Sequence, residues 1–561
     1  MNKTNEALSA EKKFRTSVEE AQEYIENFDI LETINNVGND EVFTPVKVCQ
    51  QMLDILPEEV WSNPNYKWLN PCDKNGVFLR EIALRLDSSL SEWESDVEKR
   101  REHILQNMIF SLGLTKFTAQ VSRRTVYYCS QANRKFDGQV DQDGNSINGY
   151  AIGNGEWFDK EEGNVLNPIT EHTFVKGKCI YCGTAEKDKD GRPGRYSDPK
   201  QLEHYAYEFT HIKEEKIEKH LQNRFFGGKK MKFDIIIGNP PYQLTDGGGG
   251  SSSKPIYNLF VNQAISLKPK YMSMIIPSRW FSGGKGLDEF RTKMISDKHI
   301  RVLHDYLIAQ DCFPSVSIEG GVCYFLWDRE NEGVCKIVSH HQDGITKFSE
   351  RYLSDNTDIL IRDEKSLHIL MKVQGKNEES FSSIVSPRNP YGVSKVSESD
   401  FVDKKNIKSE LSIFGRFGNG REVKHLKLSF TVKKGKDLVN VWKVFISKAD
   451  GAAGQIGNPI PARIIGKAEV GAPNIICSET FLVVGPFETE NQATNVSKYM
   501  STKFFRFMVG IRKNKNMTQD TYKYAPLLSL DQIWTDQDLY DKYELDQEDI
   551  NYIEKYIKEL D

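Results

Sequence analysis

An open, doubly wound α/β sheet is the fold class this sequence predicts, and three observations predict it. The apolar run Phe233–Gly238 (FDIIIG) reads as a fully buried strand of a parallel sheet, and Asn239-Pro240-Pro241-Tyr242 ends it abruptly. Trp68–Leu79 (WLNPCDKNGVFL) reads as a short strand, a loop containing Gly76 and the start of a helix, VFLREIALRL. Asn107–Thr115 (NMIFSLGLT) reads as another strand, followed by the helix KFTAQVSRRTVYY. Strands alternating with helices build a parallel sheet, and ligands collect beyond the carboxyl ends of its strands. Both loops therefore lie where chemistry happens.

In chain order, residues 1–40 read as a charged helical extension without an apolar signal core. Glu41–Pro45 precedes an amphipathic helix, VKVCQQMLDIL, with Thr44 as N-cap and Pro45 at the first helical position. Gln243–Ser253 (QLTDGGGGSSS) reads as a flexible linker or as a lid that orders on a substrate. The lid is favoured, because strands and helices continue beyond it: Pro255–Phe260 leads a helix, and Tyr271–Pro277 (YMSMIIP) and Gly320–Trp327 (GGVCYFLW) read as strands. From about residue 340 come short strands among polar loops (HLKLSFTV, VWKVFISK, TFLVVG), a basic helix over Tyr499–Lys515 and an acidic terminal helix, QEDINYIEKYIKEL.

A chain of 561 residues is too long for one core. The expected division is an extension over 1–40, an α/β domain over 41–335 and a mixed α+β domain over 336–561. Hydrophobic content of 38% argues against disorder, and no run has the length of a membrane span. The reading is a cytoplasmic protein whose nine cysteines stay reduced. Net charge of −5 hides an asymmetry. Asp403–Lys448 carries twelve basic residues against four acidic ones, together with Phe414, Phe417, His425, Phe430 and Trp442. That pattern fits a surface meeting phosphates and base edges, or else a solvated face. Asp531–Asp561 carries three basic residues against eleven acidic ones.

The tetrapeptide Asn239–Tyr242 has a chemical logic. An exocyclic amine on an aromatic ring is a poor nucleophile, since its lone pair is delocalised. Acceptors aimed at both N–H groups favour pyramidal nitrogen and gain strength as positive charge develops. The Asn239 side-chain oxygen and the Pro240 carbonyl form such a pair, Pro241 stiffens the turn, and Tyr242 offers a ring face to a flipped base.

With these motifs the chain resembles the gamma-class N6-adenine DNA methyltransferases of restriction–modification systems. Their order is Phe-Thr-Pro, cofactor loop, NPPY, then a C-terminal target recognition domain. The resemblance implies a Rossmann-like methyltransferase sheet and S-adenosylmethionine as cofactor. Phe43, Thr44 and Pro45 would lie over its methionine end; Asn70, Pro71, Asp73, Gly76 and Phe78 would form the cofactor loop. Asn70 stands where an acidic residue is usual, and Leu114-Thr115 lacks the usual ribose-binding acid. Ile152–Phe158 (IGNGEWF) resembles the third strand, with Glu156 facing the cofactor's adenine amine, and Phe260 would line the adenine pocket. Phe313, before the Gly320–Trp327 strand, would cover the flipped base opposite Tyr242.

His172-x6-Cys179-Ile180-Tyr181-Cys182-Gly183 resembles a zinc-ribbon knuckle inside an insertion over about 125–230. A structural Zn2+ would be held by Cys129, His172, Cys179 and Cys182, with His204 and His211 as further candidates; unliganded cysteines are the alternative. Double-stranded DNA is the implied partner, read by Arg416, Arg421, Lys424, Lys433, Lys434 and Arg512, and a separate restriction endonuclease is a further one. Two other functions stay open: methylation of RNA or of a protein glutamine amide, and a non-catalytic DNA-binding subunit.

Overall fold

The computed structural model describes residues 42–127, 132–133, 158–187, 191, 206–244, 254–284, 286–314, 316–318, 320–341, 345–394, 396–402, 411–418, 420–449, 460–513 and 516–560. The extension over 1–40, Cys129, Glu156 with most of its strand, His204 and the loop over 245–253 lie outside them. The chain divides into two compact units, Met1–Asp355 and Asn356–Asp561.

The strands of the first unit are β1 (Trp68–Asp73), β2 (Ile109–Gly113), β3 (Val165–Leu166), β4 (Phe174–Val175), β5 (Lys178–Cys179), β6 (Ile235–Gly238), β7 (Gln243–Leu244), β8 (Lys254–Pro255), β9 (Tyr271–Pro277), β10 (Ile300–Tyr306), β11 (Val322–Asp328), β12 (Cys335–His340) and β13 (Thr346–Arg351). Its longer helices include α1 (Val46–Asp54), α2 (Val77–Ser89), α3 (Lys116–Tyr127), α4 (Glu214–Phe226) and α5 (Tyr257–Ser266). Nine strands form one sheet in the order β13-β12-β10-β11-β9-β6-β1-β2-β3. From β3 to β9 all neighbours are parallel, while β11 runs antiparallel to both β9 and β10.

The chain leaves β1 outward through β2 to β3, then returns on the other side of β1 as β6. The direction of winding therefore reverses between β1 and β6, and the loops after these two strands border the resulting crevice. The central strands β1, β6, β9 and β11 are buried throughout, as a sheet covered on both faces requires. On one face Val77, Phe78, Ile82 and Leu86 of α2 share a core with Trp68, Ile109, Ile235 and Ile237. Alternate residues point the other way, where Phe110 meets Phe225 and Phe226 of α4 at 5.4 and 5.1 Å.

Several expectations change. The strand beside β2 is Val165–Leu166. The pair β12–β13 extends the sheet beyond residue 335, and the first unit runs to Asp355. Thr44 does not cap α1: Pro45 is the N-cap and its carbonyl accepts from Cys49 N at 3.0 Å.

The second unit holds β14 (Ser412–Phe417), β15 (Gly420–His425), β16 (Trp442–Ser447), β17 (Glu469–Gly471), β18 (Ile475–Cys477) and β19 (Phe481–Phe487) in two three-stranded sheets. Around them pack α6 (Glu364–Gln374), α7 (Glu490–Ser501), α8 (Lys503–Arg512) and α9 (Gln547–Tyr556). HLKLSFTV is not a strand beyond His425. Beyond Leu426, which bridges Phe401, the segment pairs with no strand among the described residues, and Leu428 stands 65% exposed. The expected basic helix Tyr499–Lys515 is broken at Thr502, whose extended backbone ends α7 and whose side chain caps α8. The acidic helix α9 is anchored, with buried Asp549 paired to Lys365 at 2.9 Å and Lys372 at 2.6 Å.

Candidate active site

Gly238 closes β6 against β1 so tightly that a Cβ there would lie 2.7 Å from Cys72 Sγ and 2.8 Å from Asn70 Oδ1. Only glycine lets the two strand ends approach in this way. The next residue, Asn239, is 2% exposed. Its Nδ2 donates to the Val42 carbonyl and to Thr44 Oγ1, both at 3.0 Å. Two acceptors on the nitrogen fix which end of the amide is oxygen. Oδ1 is buried with no hydrogen-bond partner among the described residues. A buried acceptor left open costs free energy unless a ligand completes it.

The Phe43-Thr44-Pro45 segment is thus brought onto the Asn239 side chain. Lys74 Nζ, buried, adds a hydrogen bond to the Val42 carbonyl at 2.7 Å. Neither the lysine nor that carbonyl stood out in the sequence, because a backbone acceptor leaves no residue signature.

The loop after β1 is largely self-satisfied. Asn70 Oδ1 accepts from Cys72 N at 3.1 Å, and its Nδ2 lies 3.4 Å from Asp73 Oδ1. Asp73 accepts from Gly76 N at 3.1 Å, from Ser111 at 3.0 Å and from the Ser122 hydroxyl. Burial raises its pKa, and the hydrogen bonds from Ser122, Ser111 and Gly76 oppose that rise. Asp73 therefore ties the loop to β2 and α3 through Ser111 and Ser122, while Asn70 braces the loop internally through Cys72 N and Asp73. Gly76 has φ +78°, and its missing Cβ clears the Ser122 backbone at 3.0 Å. Pro71 and Phe78 are buried beside it. The open polar atom here is Asn75 Nδ2, a buried donor without a partner among the described residues. Thr115, at the end of β2, receives Thr118 N at 3.1 Å and so starts α3.

Pro240 and Pro241 are buried, and burial pushes the Tyr242 hydroxyl well above its ordinary pKa. Tyr242 and Phe313 are brought together at 6.3 Å between ring centroids, but at an interplanar angle of 72°. They meet edge to face, the usual preference of packed rings, and not as parallel faces around a base. Phe260 is fully buried on α5, against Tyr207 at 5.8 Å and Phe209 at 6.0 Å. In the insertion, His172, Cys179, Cys182 and His211 each offer a ligand atom within 4.8 Å of the others. His211, a secondary candidate in the sequence, completes the group.

The Eco57I restriction-modification methylase family model matches residues 107–313. A Mycoplasma pneumoniae protein, described as an uncharacterized adenine-specific methylase, is 45% identical over 343 residues, 59% of this chain and 76% of the relative. The chain belongs to this family of methylases. Among solved structures, the methylase is similar to a nuclease-deletion mutant of the Type ISP restriction-modification enzyme LlaGI in complex with a DNA substrate mimic. The TM-score is 0.47 at 12% identity, over 86% of this chain and 46% of that one. It is also similar to the Type IIL restriction-modification enzyme MmeI in complex with DNA, with a TM-score of 0.41 at 12% identity, over 86% and 63%. The methylase thus spans under two thirds of either structure.

In the second unit of the methylase, Arg416 and Arg421 are exposed and directly opposite each other on β14 and β15. Lys433 and Lys434 are exposed nearby in sequence, and Lys424 lies over the rings of Phe417 and Phe401 at 4.7 and 4.9 Å. Arg512 corrects an expectation. It is 5% exposed and forks onto Asp358 at 2.6 and 2.9 Å, with Asp520 beside it. Its guanidinium holds the fold together and presents no face to phosphate. No helix among the described residues is long and apolar enough to cross a membrane.

Proposed function

We propose that the protein transfers a methyl group from S-adenosylmethionine to the N6 amine of an adenine flipped out of double-stranded DNA. The observation that carries this reading is Asn239: its amide nitrogen is held by Val42 and Thr44, and its oxygen is left as an open, buried acceptor. That oxygen and the Pro240 carbonyl would accept the two N–H groups of the amine, most strongly as charge develops on nitrogen.

The residues fit the cofactor. Asn75 Nδ2, an open buried donor just before the N-terminus of α2, suits the methionine carboxylate, with Thr44, Pro45 and Phe43 bordering the same loop. Phe260 would line its adenine. Bound S-adenosylmethionine supplies the electrophilic methyl group; the chain positions the amine and excludes water. Tyr242 and Phe313 would turn from their edge contact to stack on the base. The second unit would serve as target recognition domain, with Arg416 and Arg421 meeting DNA and a restriction endonuclease as a separate partner. A structural zinc at the Cys179–Cys182 knuckle takes no part in methyl transfer.

The test is transfer of labelled methyl from S-adenosylmethionine to DNA, followed by hydrolysis to nucleosides. Label should appear in N6-methyladenine. Asn239→Ala should lower turnover by about 10²–10³-fold while DNA and cofactor binding persist. Label found only in RNA or protein overturns the substrate, and an unimpaired Asn239→Ala overturns the site.

A further inference from the structure

The hairpin β4–β5 ends in a tight backbone loop around its two cysteines. Cys179 N donates to Thr184 O at 2.9 Å, and Gly183 N donates to Cys179 O at 2.9 Å with Gly183 at φ +79°. This turn directs both Sγ atoms inward, where Cys179 and Cys182 are each 3% exposed. Cys182 Sγ lies 3.5 Å from His172 Nδ1, and the His172 and His211 rings are 5.2 Å apart. A tetrahedral zinc site with ordinary Zn–S and Zn–N bonds sets its donors about 3.3–3.8 Å apart. The four donors here, all within 4.8 Å, need only a small contraction to reach that geometry.

The surroundings fit as well. His211 Nδ1 is 3.0 Å from the Tyr207 carbonyl, to which it donates, so Nε2 carries the lone pair. A ring nitrogen held by a backbone carbonyl is the usual support for a metal-bound histidine. The Thr184 hydroxyl stands 3.2 Å from Cys182 Sγ, placed to donate to a thiolate. Two soft sulfur donors with two imidazoles select zinc over hard cations.

Three of the donors belong to the hairpin region and the fourth to the segment Ala206–His211. That segment carries Tyr207 and Phe209, the rings packed on Phe260. Gln263, one turn further along α5, donates to the Ile212 carbonyl at 3.0 Å.

We infer that His172, Cys179, Cys182 and His211 bind one zinc ion, and that this ion holds the Tyr207–Phe209 wall against Phe260 in the cofactor pocket. Binding converts two thiols to thiolates and releases two protons for each ion taken up. The second half of the inference rests on the methyltransferase reading, because it assigns Phe260 to the cofactor.

Elemental analysis of the full chain, purified without added zinc, should find one zinc per chain. Cobalt(II) added to stripped protein should give the visible bands of a tetrahedral thiolate site, a readout that needs no variant. An absence of zinc together with an absence of those bands overturns the site. His211→Ala should weaken metal retention, and retention unchanged from wild type removes His211 from the ligand set. Calorimetry with S-adenosylmethionine then tests the coupling. Stripping should raise the cofactor Kd about tenfold, and the cofactor should tighten zinc by the same factor. Equal Kd values with and without zinc overturn the coupling and leave the site standing. A holoprotein that never binds S-adenosylmethionine overturns the methyltransferase reading instead, while the zinc count answers for the site independently.

Discussion

The Asn239 amide nitrogen lies 3.0 Å from the Thr44 hydroxyl oxygen, across 195 positions of sequence. This contact orients the Asn239 side-chain oxygen, the acceptor proposed to hold the target amine. Thr44→Val keeps the shape and removes the acceptor. Turnover should fall about 10–100-fold, because the amide is then held by the Val42 carbonyl alone and misplacement of a reacting partner is costly. The Kd for S-adenosylmethionine should stay within about twofold, and Thr44→Ser should restore turnover. A loss in Thr44→Val that shows mainly in cofactor affinity would assign Thr44 to the cofactor instead.

Gly238 sets how closely the ends of β6 and β1 approach. Gly238→Ala adds a methyl 2.7 Å from Cys72 Sγ and 2.8 Å from Asn70 Oδ1. Overpacking of this kind costs about 1–3 kcal/mol, so the melting temperature should drop by a few degrees. Cofactor affinity should weaken with it, since the Asn70–Gly76 loop must shift. Cys72→Ala removes the closest atom and should return part of both losses in the double variant. If it returns neither, Asn70 Oδ1 and not Cys72 is the limiting contact.

Motifs whose chemistry is local were legible in the sequence. β1, β2, β6, β9, β11 and the loops after β1 and β6 stand where buried apolar runs and turn residues put them. Contacts that use the backbone were not legible: Val42 offers Asn239 only a carbonyl. Asn70 and Asp73 stand out in the sequence as polar residues of a crevice loop, but their internal partners Cys72 N, Ser111 and Ser122 do not, because those contacts exist only once the strands and α3 are folded together. Arg512 shows the same limit. A basic residue near the end of a helix resembles a phosphate contact until Asp358, 154 positions away, is folded against it. The Tyr499–Lys515 helix failed for a local reason, since Thr502 is a better N-cap than a helix interior.

His304 gives the first unit a pH dependence. Its Nδ1 lies 3.0 Å from the Tyr324 hydroxyl and 3.1 Å from His340 Nε2. Burial first, then His340 and Lys336, lower its pKa to about 4. A histidine with a depressed folded pKa contributes stability that is present above its unfolded value of about 6.5 and is lost as pH falls toward 4. Unfolding free energy should therefore decline by on the order of 2–3 kcal/mol between those limits. His304→Gln should flatten that part of the curve. Urea melts at four or five pH values would show it, and parallel curves for the two proteins would rule His304 out as the source.

Arg416 and Arg421 face each other across the β14–β15 ladder, both exposed. Like charges directly opposite on neighbouring strands disfavour the sheet. Arg421 is steadied by the Lys467 carbonyl at 3.2 Å and lies 5.8 Å over the Phe481 ring, while Arg416 sits one strand away. Replacing Arg416 with alanine should leave thermal stability unchanged or slightly higher, since repulsion is removed, whereas Arg421→Ala also gives up its contacts with Lys467 and Phe481. If the pair meets phosphates, DNA affinity should fall evenly across sequences and the slope of log affinity against log salt should shrink by about 1 for each arginine. If it reads base edges, discrimination should relax by about 1–3 kcal/mol at particular positions, as expected when an arginine fork on guanine is lost. Binding isotherms on matched and mismatched duplexes at three salt concentrations separate the two. Unchanged affinity, slope and discrimination in the double variant would make this hairpin a solvated face. The recognition surface would then have to lie elsewhere than α8, whose residues from Phe504 to Arg512 are buried.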